Sequence, residues 1–174
     1  MAGRLQKLYN KTILSKDFTV SFNKLNKNIE NYLLDSIKKK YEGKCISSGF
    51  VKINSCKIVS YSSGTILDGD KIIFNIVFEC DICIPCEGLK IDCIVKNITK
   101  AGIRAEINED NSPMIIFLAR DHHYNNAKFS KIKNEDIISV KVIGKRFELN
   151  DKAISVLGEL TDDVIKQQRI TIED

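Results

Sequence analysis

The segment LYNKTILSKDFTVSF, from Leu8 to Phe22, is rich in β-branched and aromatic residues and predicts a strand. The period then changes. In LNKNIENYLLDSIKKKYEG, Leu25, Ile29, Leu33 and Ile37, with Tyr32, fall on one face of a helix. Lys38–Lys40 occupy its last turn, where they complement the helix dipole, and Gly43 follows as the expected cap. CISSGFVKINSCKIVSYSSG predicts two short strands, Asp68–Lys71 a turn, and a long apolar strand begins at Lys71. A strand, a helix and further strands in this order make a compact α+β unit.

From Gly88 onward the pattern is almost wholly of period two. LKIDCIVKNI sets Leu89, Ile91, Cys93 and Val95 on one face, and AGIRAEI sets Ile103, Ala105 and Ile107 against Arg104 and Glu106. MIIFL reads as a short buried strand with Phe117 in the core. IISVKVIGKRFEL alternates Ile138, Val140 and Val142 with Ser139, Lys141, Ile143 and Lys145, and AISVLGEL completes the set. Five short strands with one longer loop, Ala119–Glu135, predict a small closed barrel of the OB type.

A chain of 174 residues can bury a core as one domain or as two small ones. Hydrophobic residues make up 43% and charged residues 29%, an ordinary globular balance. No apolar run approaches the ~20 residues that span a bilayer. The start, MAGRLQKLYNKTILSKD, lacks the apolar stretch of a secretory signal. The six cysteines are therefore expected as thiols in a reducing, intracellular compartment. The net charge of +4 is unevenly spread. Residues 1–86 carry 13 Lys and Arg against 8 Asp and Glu, whereas residues 87–174 carry 14 against 15, with acids gathered from Glu159 onward. Such a body permits a polyanionic partner without demanding one. Lysine far outnumbers arginine and Ile and Asn are abundant, as AT-rich coding would give.

The stretch FECDICIPCEG, Phe78–Gly88, spaces Cys80, Cys83 and Cys86 by three and so raises the question of a metal. Strand parity answers it. Phe74, Ile76, Phe78, Cys80, Ile82 and Ile84 share one parity, while Val77 and Cys83 take the other. Cys80 and Cys83 would then leave the strand on opposite faces and could not hold one ion. Cys93 belongs to the next strand, and His122 and His123 are not spaced as ligands, so the thiols are expected to pack as small apolar groups with no metal or cofactor.

Taken in order, YEGKC, FNIVFECDICIPCEG, GLKIDCIVKNITKAGIRAE, IIFLARDH, VKVIGKR and ISVLGEL resemble the larger stalk subunit of RNA polymerases. This is the RNA polymerase II subunit seven family, with archaeal and large-DNA-virus relatives. The resemblance runs from about Leu5 to Asp163. Where the family has an aromatic residue on each side of a proline, then a basic residue, this chain has Cys83 and Cys86 about Pro85, then Glu87. The resemblance implies an α+β "tip" domain over residues 1–82, docking on the polymerase core at its clamp. An OB-fold RNA-binding barrel of the ribosomal-protein S-one type then covers residues 83–174. It further implies a non-catalytic subunit that pairs with a smaller stalk subunit and touches nascent single-stranded RNA. The implied location is the virion and cytoplasmic viral factory for a viral source, and the nucleus for a cellular eukaryotic one. The divergent junction and the Lys, Asn and Ile bias point towards a large DNA virus.

Several residues are candidates for contact. Arg104 stands where related barrels expose a stacking aromatic, and a guanidinium can itself stack or pair with phosphate; an ordinary exposed arginine is the plain alternative. Lys141 and Lys145 are placed on one outward face, with Arg146 beside them, to follow a phosphate backbone or simply to solvate the barrel. Arg120 and His122 sit in a loop where the family carries similar residues, and Lys96 and Lys100 flank a loop mouth as weaker candidates. RDHHY has no partner motif for catalysis, and neither phosphate-cradling glycine motif occurs. Within SSGTILDGD, residues Ser63, Gly64, Thr65, Ile66 and Leu67 are the expected polymerase-docking loop. The rival readings are a free-standing OB-fold RNA-binding protein of translation or RNA processing, and a metal- or thiol-dependent enzyme.

Overall fold

The computed structural model describes residues 8–25, 28–67 and 69–161. The chain divides between Ile84 and Pro85 into two compact units.

The first unit is built on two strands of thirteen residues, β1 (Tyr9–Ser21) and, last in this unit, β6 (Lys71–Cys83). They pair antiparallel without interruption from Tyr9 opposite Cys83 to Ser21 opposite Lys71. Between them come helix α1 (Ile29–Tyr41) and the short strands β2 (Cys45–Ile46), β3 (Gly49–Val51), β4 (Lys57–Tyr61) and β5 (Thr65–Ile66). Where the sequence suggests two short strands, over residues 45–64, there are three, and β5 follows at once. The chain turns after Ile46 and again at Asn54, which adopts a left-handed φ of 58°. β5, β4 and β3 take successive stretches of the other edge of β6, and β2 pairs with β3.

Period two in β6 sets the core. Ile72, Phe74, Ile76, Phe78, Cys80 and Ile82 are buried with Leu33 and Ile37 of α1, and Leu25, Ile29 and Tyr32 pack at the margin. Tyr41 stacks on Phe78 at 5.6 Å between ring centres. The helix ends because Gly43 turns left-handed at φ 70°, and its N–H bonds to the Val51 carbonyl. Cys80 and Cys83 leave β6 on opposite faces, while Cys86 lies beyond the strand and is exposed. Among the described residues, no three of His, Cys, Asp or Glu converge as metal ligands would.

The second unit is a closed five-stranded barrel consistent with the OB type. Its strands are β7 (Lys90–Ile98), β8 (Gly102–Glu106), β9 (Met114–Ala119), β10 (Ile137–Arg146) and β11 (Ile154–Leu160), joined in the order β7–β8–β9–β11–β10–β7. All neighbours are antiparallel except β9 and β11. Alternate side chains, among them Ile91, Cys93, Val95, Ile103, Ile116, Val140 and Val156, fill the interior. Gly158 is required there, since a Cβ would collide with the Val140 side chain. Two bulges break the ladders, between Val95 and Asn97 on β7 and between Val142 and Gly144 on β10.

Candidate nucleic-acid interface

Residues opposed on neighbouring antiparallel strands point to the same side. Arg104 on β8 stands opposite Phe117 on β9, with Asn97 of β7 on its other flank. Phe117 is in turn level with Leu157 of β11, and Leu157 with Gly144 of β10. The next outward row runs Glu106, Ile115, Ser155, Arg146. The barrel therefore presents a ring and two guanidiniums on four contiguous strands.

Phe117 is 37% exposed, which corrects its placement in the core. Strict alternation in MIIFL would have found it: Met114, Ile116 and Leu118 are buried, so Phe117 has the outward parity. Gly102 lets β8 run close beneath this ring. A Cβ at that position would collide with the Leu118 carbonyl and come within 3.0 Å of the Phe117 ring. The Arg104 guanidinium donates to Glu106 Oε1 at 2.9 Å. An exposed pair of this kind is worth under about 1 kcal/mol, so it can readily be exchanged for a phosphate.

The other candidates are dispersed. Lys141 stands opposite Lys90, whereas Arg104 stands opposite Asn97, seven residues further along β7. That separates the two side chains by roughly 20 Å along the strand. The expectation that Lys141 and Lys145 share an outward face fails at the β10 bulge. Past it Lys145 has the parity of the buried Val156 opposite it, yet its side chain stays exposed and its Nζ donates to the Pro85 carbonyl at 2.7 Å. Arg146 takes the outward parity instead and pairs with Glu148 at 3.2 Å.

In the loop after β9, Arg120 donates from Nε to the Lys100 carbonyl at 2.9 Å and from Nη2 to the Thr99 carbonyl at 3.1 Å. Its guanidinium also covers the Phe129 ring, so it holds the β7–β8 turn. His122 is exposed, but His123 is buried. The ring of His123 stacks on Phe129, its Nδ1 lies 2.7 Å from the Ala119 carbonyl, and its Nε2 accepts from the Leu160 N–H at 2.9 Å. This fixes Nδ1 as the protonated nitrogen and makes His123 a strut between loop and β11. Sequence reasoning missed that duty, since only the return of Leu160 to this loop reveals it. Lys96 is paired with Glu135 at 3.3 Å.

In the first unit the segment Ser63–Leu67 lies along the edge of β6, held by Ser62 N–H to Asn75 O and Leu67 N–H to Lys71 O, both 2.9 Å. All five residues are exposed, Ile66 to 68%. Gly64 is demanded by this approach, because a Cβ would collide with Ile72 and crowd the Phe74 ring at 2.9 Å.

No family model matches the chain. It is similar to a "putative DNA-directed RNA polymerase subunit" of Acanthamoeba polyphaga mimivirus, with 29% identity over 175 aligned residues, 90% of this chain and 84% of that protein. The matched share is large enough to reach into both units. The chain is thus a relative of a protein named as an RNA polymerase subunit of a large DNA virus.

Proposed function

We propose that the chain is the larger, non-catalytic stalk subunit of a multisubunit DNA-directed RNA polymerase of a large DNA virus. The observation that carries this reading is the likeness, over nine-tenths of the chain, to the mimivirus polymerase subunit. In this reading the α+β domain, residues 1–82, docks on the clamp of the polymerase core through Ser63–Leu67, and a smaller stalk subunit is a further partner. The barrel, residues 83–174, contacts nascent single-stranded RNA. The pairing of Arg104 with the exposed Phe117 supports that role. A base stacked on an aromatic side chain gains about 1–3 kcal/mol whatever its identity, and a neighbouring cation serves the phosphate. With Arg104 and Arg146 as the cations near the ring, binding is weak, tolerant of sequence and shallow in its salt dependence. The protein works inside the infected cell, in the viral factory, and is carried in the virion.

Affinity isolation of the tagged chain from infected cells tests this. Core polymerase subunits should accompany it in near-equal amount. Recovery with ribosomes or RNA-processing factors and no polymerase would replace the proposal with a free-standing RNA-binding protein.

A further inference from the structure

Outside the surfaces already described, the first unit holds two cysteines that face each other. Cys56 immediately precedes β4, whose register on β6 sets Lys57 opposite Glu79 and Ile58 opposite Phe78. Continuing that register by one residue would set Cys56 opposite Cys80, and a hydrogen bond between the two side chains shows that they meet. Opposed antiparallel residues have Cα atoms about 4.5–5.5 Å apart, inside the span of about 4.4–6.8 Å that a disulfide bridges. Both side chains enter the same core, at 3% and 1% exposure. The backbone at Cys56 is pinned, its N–H donating to Glu42 Oε1 at 3.0 Å.

We propose that Cys56 and Cys80 are a peroxide-reactive pair that closes to a reversible disulfide between the start of β4 and the middle of β6. The chemistry of the two sulfurs is already divided. The Cys56 thiol donates a hydrogen bond to the Cys80 sulfur, which holds Cys80 below the usual thiol range against the opposing effects of burial, Asp81 and Glu42. The same bond, then burial and Glu42, keep Cys56 protonated. One sulfur is thereby favoured as the attacking thiolate and the other as the resolving thiol.

The oxidant must be small. Cys80 is 1% exposed and its side chain enters the core, whereas Glu79 and Asp81, its neighbours on β6, take the opposite parity and line a surface recess of about 200 Å³ with Lys11, Lys52 and Lys57. Only an oxidant as small as hydrogen peroxide can reach a sulfur so enclosed, where a bulky disulfide cannot. The Cys80 thiolate attacks one peroxide oxygen, the O–O bond breaks, and hydroxide leaves to be protonated to water. The Cys56 sulfur then displaces the hydroxyl of the Cys80 sulfenic acid, its proton leaving with that oxygen as a second water. Two thiols lose two electrons and one peroxide gains them.

The test uses the full chain, fully reduced, then exposed to hydrogen peroxide, quenched, unfolded and alkylated for mass spectrometry. Two of the six thiols should become unreactive, in a single linked peptide joining Cys56 to Cys80 that a dithiol reductant releases. In C56S, dimedone should trap a sulfenic acid on Cys80. Full alkylation of Cys56 and Cys80 in the peroxide-treated parent, with oxidation confined to the exposed Cys86, would overturn the proposal. So would a disulfide joining Cys80 to any other cysteine.

Discussion

Every strand of the barrel has two neighbours, whereas among the described residues β1 of the first unit pairs with β6 alone and the far edge of β6 is shared by three short strands. The apolar side chains follow that difference. On its strands the barrel directs its apolar residues inward and leaves one exposed ring, Phe117, beside Arg104, while Tyr124 and Leu149 are exposed in its loops. The open sheet exposes Ile13, Val59, Tyr61, Ile66 and Leu67. Closure removes backbone edges and leaves side chains to make contacts, which suits a polymer read without regard to sequence. An open sheet with exposed aliphatic groups suits a protein surface. A stable subunit contact buries more than about 1,000 Å², which such a sheet can supply and a few scattered lysines cannot.

Neighbouring residues on β9 give the largest contrast. Ile116→Ala should destabilise the fold by about 2–5 kcal/mol, because Ile116 is fully buried. Phe117→Ala should leave stability within about 1 kcal/mol but weaken binding of single-stranded RNA by about 1–3 kcal/mol. Denaturant titration and an RNA-binding isotherm separate the two. Equal loss of stability in both variants would return Phe117 to the core.

Exchanging Ile66 and Leu67 for aspartate should come next in effect. Polymerase co-purification should be lost with RNA affinity unchanged, since neither residue lies on the barrel. Retained co-purification would move the docking contact elsewhere.

Cysteine ionisation sharpens the difference between the interiors. Burial, then Asp92, pushes Cys93 up to about 12, whereas the Cys56 thiol holds Cys80 low in the sheet. A thiol whose folded pKa is raised gives stability that is fully present below the unfolded value near 9 and drains away as pH rises towards 12. Between about pH 8 and pH 10 the parent should lose about 1.4 kcal/mol more than Cys93→Ala. Urea unfolding at both pH values checks this, and parallel losses would mean that Cys93 is not held in the dry interior. The smallest effect belongs to Lys141→Ala. Placed roughly 20 Å along the strand from Arg104, it should change RNA affinity less than twofold, below about 0.4 kcal/mol. A loss equal to that of Phe117→Ala would show that the wrong face has been chosen.

Parity was a sound guide wherever the ladder is unbroken. β6 pairs with β1 unbroken for thirteen residues, so the opposite facing of Cys80 and Cys83 was legible in the sequence. β10 has the same alternating look but carries an extra residue at Ile143, and past it Lys145 loses the parity it shares with Lys141 in the sequence, although its side chain is exposed. No single-strand pattern announces a bulge, because it is set by how β11 fits against Val142 and Gly144. Helix α1 and its Gly43 terminus were legible from local signals alone. The splitting of the middle segment into four short strands was not, since β3, β4 and β5 are each defined by the part of β6 they reach and β2 by its pairing with β3. Of the outward residues on β8 and β9, Arg104 was legible from its parity and Phe117 was overlooked through treating a short apolar strand as wholly buried. Arg120 and the two histidines needed the loop's own hydrogen bonds to be sorted.

The central claim is that the barrel meets the transcript in the assembled polymerase through the outward side of β8 and β9. Elongation complexes carrying 4-thiouridine at successive positions of the RNA behind the active site, irradiated and mapped by mass spectrometry, test it directly. Crosslinks within Gly102–Glu106 and Met114–Ala119, lost in Phe117→Ala without loss of the subunit from the complex, are the predicted result. Complexes that contain the chain but yield crosslinks only to the first unit, or none to the chain at all, would contradict it.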